Sequence, residues 1–329
     1  AHGSGDILLQ TLTSGSVITN AQVQSTTGNI TINSKDALNV VDRLRTNSPG
    51  AIYLRSDGNI TVDSLNTNNT NLQILSGGTL TLGSINAGTG RVYLQATNDI
   101  QDSDSLSNST NVTASALAMR AGGKIGSSDT NAASNTNCNA IGTRVATLAA
   151  QSATGSYIQE ADGVTIDSVN VTVDRVNFNS TKTAQSQTLE DLTTTNNGPV
   201  KLQSLTGDIV VNAGTAGTSG ISAHGTGDVL LQALSGGMTS NAVIASGTGN
   251  ITLDASGAIT SNSGIQTGGS GTVYLSSGAS TTINSISTVA GDVQLLSGGT
   301  LTLGSINSGT GRVYLQATND IQDSDSLSN

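Results

Sequence analysis

Asp99, Asp102 and Asp104 fall in one short run, and the same three carboxylates return as Asp320, Asp323 and Asp325. Carboxylates this close can act as a general acid and base on a sugar polymer, provided they line a groove beside one another or beside a cation. They can also offer oxygen ligands to Ca²⁺, a hard cation that takes six to eight of them. For calcium, Asn98 would join the set, but the Gly-Gly-x-Gly-x-Asp nonapeptide series that builds calcium ladders in repeat proteins is missing. For catalysis, the return of the cluster follows from a duplication of the surrounding sequence. A solvated acidic corner accounts for the same residues, so no catalytic or cofactor-binding residue is expected and Ca²⁺ is the only candidate ion.

Other reactive types are scattered. His2 and His224 occupy equivalent positions and stand alone, which argues against a histidine metal site. Cys138 is the single cysteine, so an intrachain disulfide and multi-cysteine zinc sites are excluded. Tyr53, Tyr93, Tyr274 and Tyr314 each fall between two aliphatic residues of a strand pattern, which places them on the outer face. Such a stripe could pack fibres laterally or hold a sugar, or simply follow the β-preference of tyrosine. Sequons at Asn29, Asn59, Asn170 and Asn250 invite a glycosylation reading, but several belong to a Gly-Asn-Ile-Thr turn-into-strand signature.

Positioning these residues falls to a repeated element. Ala1–Asp6 returns, with one change, as Ala223–Asp228, and Leu75–Asn108 returns as Leu296–Asn329 with only Ala87 replaced, by Ser308. The displacement is 222 residues in the first case and 221 in the second. Residues 1–222 therefore read as one long repeat and 223–329 as the first half of another. Within each runs a shorter period of aliphatic pairs, Ile7/Leu9, Ile30/Ile32, Ile52/Leu54, Leu72/Ile74 and Val92/Leu94, then Val229/Leu231, Ile251/Leu253, Val273/Leu275, Val293/Leu295 and Val313/Leu315. Their spacing is 20–23 residues. Alternation by two marks strands with one buried face. A second strand follows across a corner such as Asp57-Gly58 or Gly77-Gly78, where glycine is expected for positive φ, and a third edge such as Ser84-Ile85-Asn86 closes the coil.

A sandwich tolerates irregular strand spacing, whereas stacked coils need like residues at one coil length. The near-constant period thus predicts an all-β parallel β-helix, one continuous solenoid, with regular coils over 1–108, less regular coils over 109–200 and further coils over 200–222. At ~4.8 Å per coil a long repeat would advance on the order of 45–50 Å as a rod. In the less regular stretch, Ser127–Asn139 and Lys182–Asn197 read as loops leaving the body, with one helical turn at Thr188–Leu192.

Composition supports this. The chain of 329 residues has 40 Gly, 2 Pro, no Trp, 5 Tyr and 1 Phe, so aliphatic residues must supply the core. Net charge is −10, and after Lys201 the only Lys or Arg is Arg312. An acidic chain without basic clusters argues against a nucleic-acid partner. No apolar run approaches the ~20 residues of a membrane span.

The motifs Gly-Asn-Ile-Thr-Ile (28–32), Gly-Gly-Thr-Leu-Thr-Leu-Gly-Ser-Ile-Asn (77–86), Gly-Thr-Gly-Arg-Val-Tyr-Leu (88–94) and Glu-Ala-Asp-Gly-Val-Thr-Ile (160–166) resemble the repeat regions of filamentous-haemagglutinin-like bacterial surface proteins. The resemblance spans nearly the whole chain. It implies a right-handed parallel β-helix, export to the cell surface, and service as adhesin stalk, filament or biofilm component, with no catalytic residues to carry over. Expected partners are further copies of the repeat along the fibre axis, together with lateral neighbours or glycans. A carbohydrate-binding module and a polysaccharide lyase or hydrolase stand as alternatives on the same fold. Neither end reads as a cap, so the expectation is a window of a longer array, with end-to-end stacking of separate chains as the alternative.

Overall fold

The computed structural model describes residues 3–103, 109–127, 139–215 and 217–324. The chain is all-β, a parallel β-solenoid of about 14 turns. No helix occurs among the described residues. Two compact units form, one from Ala1–Thr147 with Val169–Leu189, the other from Leu148–Ser168 with Glu190–Asn329.

The short period of the sequence is the stacking register. In the first unit Ile7, Ile30, Ile52, Leu72 and Val92 pair in succession, all parallel. In the second, Val229, Ile251, Val273, Val293 and Val313 do the same. Ile30, Ile52, Leu72 and Val92 are fully buried, each stabilising the fold by roughly 1.5–3 kcal/mol. Second edge and third edge form one strand: Leu80–Asn86 lies on Ile60–Asn66, with Leu80 on Ile60 and Ile85 on Leu65.

Serine and threonine fill the inside of the corners, where aliphatic groups would leave carbonyls unpaired. Thr46 Oγ1 donates to the Gly28 carbonyl (2.6 Å), Ser246 Oγ to Gly227 (2.7 Å) and Thr267 Oγ1 to Gly249 (2.8 Å). Asparagine and aspartate act just before the strands, each accepting the backbone N–H of the coil above. Asn29 N–H donates to Asp6 Oδ1 (2.7 Å) and Ala51 N–H to Asn29 Oδ1 (2.9 Å). Asn250 N–H donates likewise to Asp228 Oδ1 (2.7 Å) and Thr272 N–H to Asn250 Oδ1 (3.0 Å). Asn29 is only 4% exposed and bonded on both sides, so that sequon encodes a clamp and has no room for a glycan.

The corner glycines have a different cause from the one expected. Gly58, Gly77 and Gly78 are not among the residues with positive φ. A Cβ on Gly58 would strike the Asp36 carbonyl oxygen of the coil below, and one on Gly77 the Asp57 carbonyl. Close stacking of backbone on backbone, not handedness, demands glycine there.

The expected loops differ too. Lys182–Leu189 is a strand, antiparallel to Val169–Val176, with Val169 opposite Leu189 and Val176 opposite Lys182. The helical turn expected at Thr188–Leu192 is absent, since the hairpin strand runs through Leu189 and a further strand, Leu192–Thr194, follows. Of Ser127–Asn139, residues 128–138, including Cys138, lie outside the described residues.

Candidate functional site

Among the described residues, the stack of parallel coils is interrupted by the antiparallel Val169–Leu189 hairpin, which lies on the first strands of the coils in the first unit. Its strand Val169–Val176 touches five of them, Ile30–Ser34, Ile52–Ser56, Leu72–Ser76, Arg91–Ala96 and Val112–Ala121. Five strands at ~4.8 Å spacing span about 19 Å, and eight extended residues about 23 Å, so the strand lies across the coils.

Alternation makes this possible. Val169, Val171, Val173 and Val176 are buried, while Asn170 and Thr172 point outward. Val173 packs with Ala51, Tyr53 and Leu75. The coils supply donors to the hairpin backbone: Gln73 Nε2 bonds both the Val171 and Gln185 carbonyls (2.9 Å each), Asn71 Nδ2 the Thr172 carbonyl (3.0 Å) and an Arg91 guanidinium nitrogen the Asn170 carbonyl (3.1 Å). In return Val176 N–H donates to Thr31 Oγ1 (2.8 Å). Thr31 and Gln73 are fully buried by this cover.

The tyrosine stripe is thereby corrected. Tyr53 is 3% and Tyr93 2% exposed; both face outward from their coils as expected, but they do not reach solvent. Burial raises the pKa of both hydroxyls; Arg55 and Arg175 oppose the shift at Tyr53, and Arg120 opposes it at Tyr93. A phenol harder to ionise in the folded state leaves the unfolded chain to lose its proton first. Stability of the first unit is therefore expected to be unaffected by these groups below pH ~10 and to fall as pH rises above it. Urea unfolding between pH 9 and 11 checks this, and Tyr53→Phe should flatten part of the decline. Tyr274 is half-buried and Tyr314 is 54% exposed, so the stripe survives only in the second unit.

Clefts border the hairpin among the described residues. One of about 360 Å³ is lined by Pro49, Gly50, Asn71, Thr172 and Asp174; one of about 490 Å³ by Gln10, Asn33, Arg175, Asn177, Phe178 and Asn179; and one of about 210 Å³ by Asn33, Lys35, Arg55, Asp57 and Arg175. The chain's single phenylalanine, Phe178, sits at the hairpin turn and is 82% exposed. Side-chain amides and the Arg175 guanidinium line the cleft beside this bare aromatic ring. Asp57, bonded to Lys35 (3.0 Å) and Arg55 (3.1 Å), has its pKa lowered chiefly by Lys35. A carboxyl held ionised in this way is a poor proton donor.

The acidic clusters are not drawn into this site. Asp99 Oδ1 accepts the Lys124 N–H (2.8 Å) as another coil clamp, and Asp102 Oδ1 accepts Asn111 Nδ2 (2.7 Å). Asp320 and Asp323 are exposed. Asp104, Asp325 and His2 lie outside the described residues, and His224 is exposed. Among the described residues no three His, Cys, Asp or Glu come together as a metal site. The hairpin was missed in the sequence because its valines alternate like any coil strand; the signal lay in their falling out of the 20–23-residue register and leading into a polar strand. Compared with family models, with curated proteins and with solved structures, the chain matches none.

Proposed function

We propose that the chain is a structural and adhesive segment of a secreted bacterial cell-surface filament, without catalytic activity. The observation that carries this reading is the unbroken succession of like residues, Ile7 on Ile30 on Ile52 on Leu72 on Val92, which builds length by adding coils and leaves the exterior polar. The family resemblance of the repeat motifs supports export to the surface. On this reading neighbouring copies of the repeat continue the stack, and neither a nucleic acid nor a cofactor is needed. Electron microscopy of the native product on intact cells tests it: thin surface filaments are expected, and a compact particle confined to the cytoplasm would refute it.

A second reading, a carbohydrate-binding surface on the same scaffold, is favoured by Phe178 and the amide-lined cleft beside it. Aromatic stacking against a sugar face is of the order of 1 kcal/mol, so Phe178→Ala should weaken retention on a glycan array by about fivefold or more with the unfolding midpoint unchanged. Retention that ignores the substitution would remove this cleft from consideration. Products released from the bound glycan would instead favour a lyase or hydrolase.

A further inference from the structure

The two copies of the repeat carry the same outward-facing set, but only one is covered. Thr31, Tyr53, Gln73, Leu75, Arg91 and Tyr93, which hold the hairpin, become Thr252, Tyr274, Gln294, Leu296, Arg312 and Tyr314, each 221 residues on. The register is the same: Thr252 pairs with Tyr274, Tyr274 with Gln294 and Gln294 with Tyr314, as Thr31 pairs with Tyr53, Tyr53 with Gln73 and Gln73 with Tyr93. Exposure is not. Thr31, Tyr53 and Gln73 are buried, whereas Thr252 and Tyr274 are half-buried and Gln294 is exposed. Tyr274 is the informative position, because like Tyr53 it has a coil on either side.

We propose that the Thr252, Tyr274, Gln294, Tyr314 face is a docking platform for a second hairpin of the Val169–Leu189 sequence, the segment that a long repeat carries once. Nothing in the coil itself requires an outward tyrosine and an outward glutamine to alternate on successive strands. In the first unit that order has a use: Gln73 caps two hairpin carbonyls while Tyr53 meets Val173. Gln294 stands between Tyr274 and Tyr314 in the same order, its amide available to the same backbone groups. The match differs at Ala51, which packs with Val173 and is Thr272 in the second copy, and at one donor. Asn71, which bonds the Thr172 carbonyl, is replaced by Asp292, which accepts from Arg312 (2.9 Å) and cannot donate. The second platform therefore holds its hairpin with one donor fewer, and Arg312 must leave Asp292 to reach the position Arg91 fills.

The test uses the full 329-residue chain and a synthetic Val169–Leu189 peptide, closed into a ring by a D-Pro-Gly turn. Its pairing, Val169 opposite Leu189 through Val176 opposite Lys182, is verified by NMR before titration. Saturable binding of one peptide per chain is expected. Tyr274→Asp should weaken it at least about tenfold, because an unpaired carboxylate would lie beneath a valine strand, while Thr282→Asp, at an exposed position on a strand outside the platform, should leave it unchanged. Absence of binding by the folded ring, or binding equally tight in Tyr274→Asp, overturns the proposal. Peptide exchange at the first platform is recognised by sensitivity to Gln73→Lys with indifference to Tyr274→Asp, and also counts against it.

Discussion

Aspartate in place of Ile52 or Val273 is expected to destabilise the solenoid by about 4 kcal/mol or more, because an unpaired carboxylate would be enclosed between aliphatic neighbours. Ile52 lies between Ile30 and Leu72, and Val273 between Ile251 and Val293, all within 1% of complete burial. No described Lys or Arg stands in either ladder to pair with the new charge. In a stack where each coil holds only its neighbours, such a loss falls on two coil interfaces at once. Urea unfolding followed by circular dichroism measures it, with Thr282→Asp as the comparison: Thr282 is on an exposed position of a neighbouring strand, where a change within about 0.5 kcal/mol is expected. Equal stability of Val273→Asp and Thr282→Asp would mean that the inward assignment is wrong.

The same ladders explain how much of the fold is legible in the sequence. Period-two aliphatics at a near-constant interval can satisfy both a buried face and parallel stacking in only one register, so the pairing of Ile7 through Val92 and of Val229 through Val313 is legible in the sequence, although Val313 is 45% exposed and Ile7 only half-buried. The candidate site is not legible. Tyr53 and Tyr274 have the same neighbours in sequence pattern, and only a segment more than a hundred residues away, Val169–Leu189, decides that one is covered and the other is open. Local pattern reports which way a side chain points from its own strand; it is silent on what arrives later to cover it. The acidic residues have a related explanation. Carboxylate and amide oxygens that look like ligands in the sequence are acceptors for the next coil's N–H, as at Asp6, Asp99 and Asp228. A solenoid needs such acceptors at its corners wherever the backbone leaves one strand and enters another.

The glycines show the limit most sharply, and they yield the other large effect. Gly227, Gly249, Gly271, Gly291 and Gly311 stack at one corner of five successive coils, and none has positive φ. A Cβ on Gly271 would lie 2.9 Å from the Thr248 carbonyl oxygen and nearer still to the Gly249 carbonyl oxygen and Thr267 Oγ1. Thr267 Oγ1 already donates to that Gly249 carbonyl at 2.8 Å. The obstructing atoms are mainly backbone of the coil beneath, so relief requires the coils to part and the strands on either side to lose alignment. Gly271→Ala is expected to cost about 2–3 kcal/mol, the upper range for overpacking a well-filled site. If conformational freedom were the reason for glycine, a negative φ would let alanine stabilise the fold slightly by restricting the unfolded chain. The sign of the change therefore separates the two causes. Gly264→Ala supplies the reference, because its Cβ would meet nothing nearer than Ser285 Oγ at 3.4 Å, and a change of no more than about 0.5 kcal/mol is expected there. Stabilisation by alanine at Gly271 would show that the corner can open without loss, and that coil spacing is set elsewhere than at this glycine ladder.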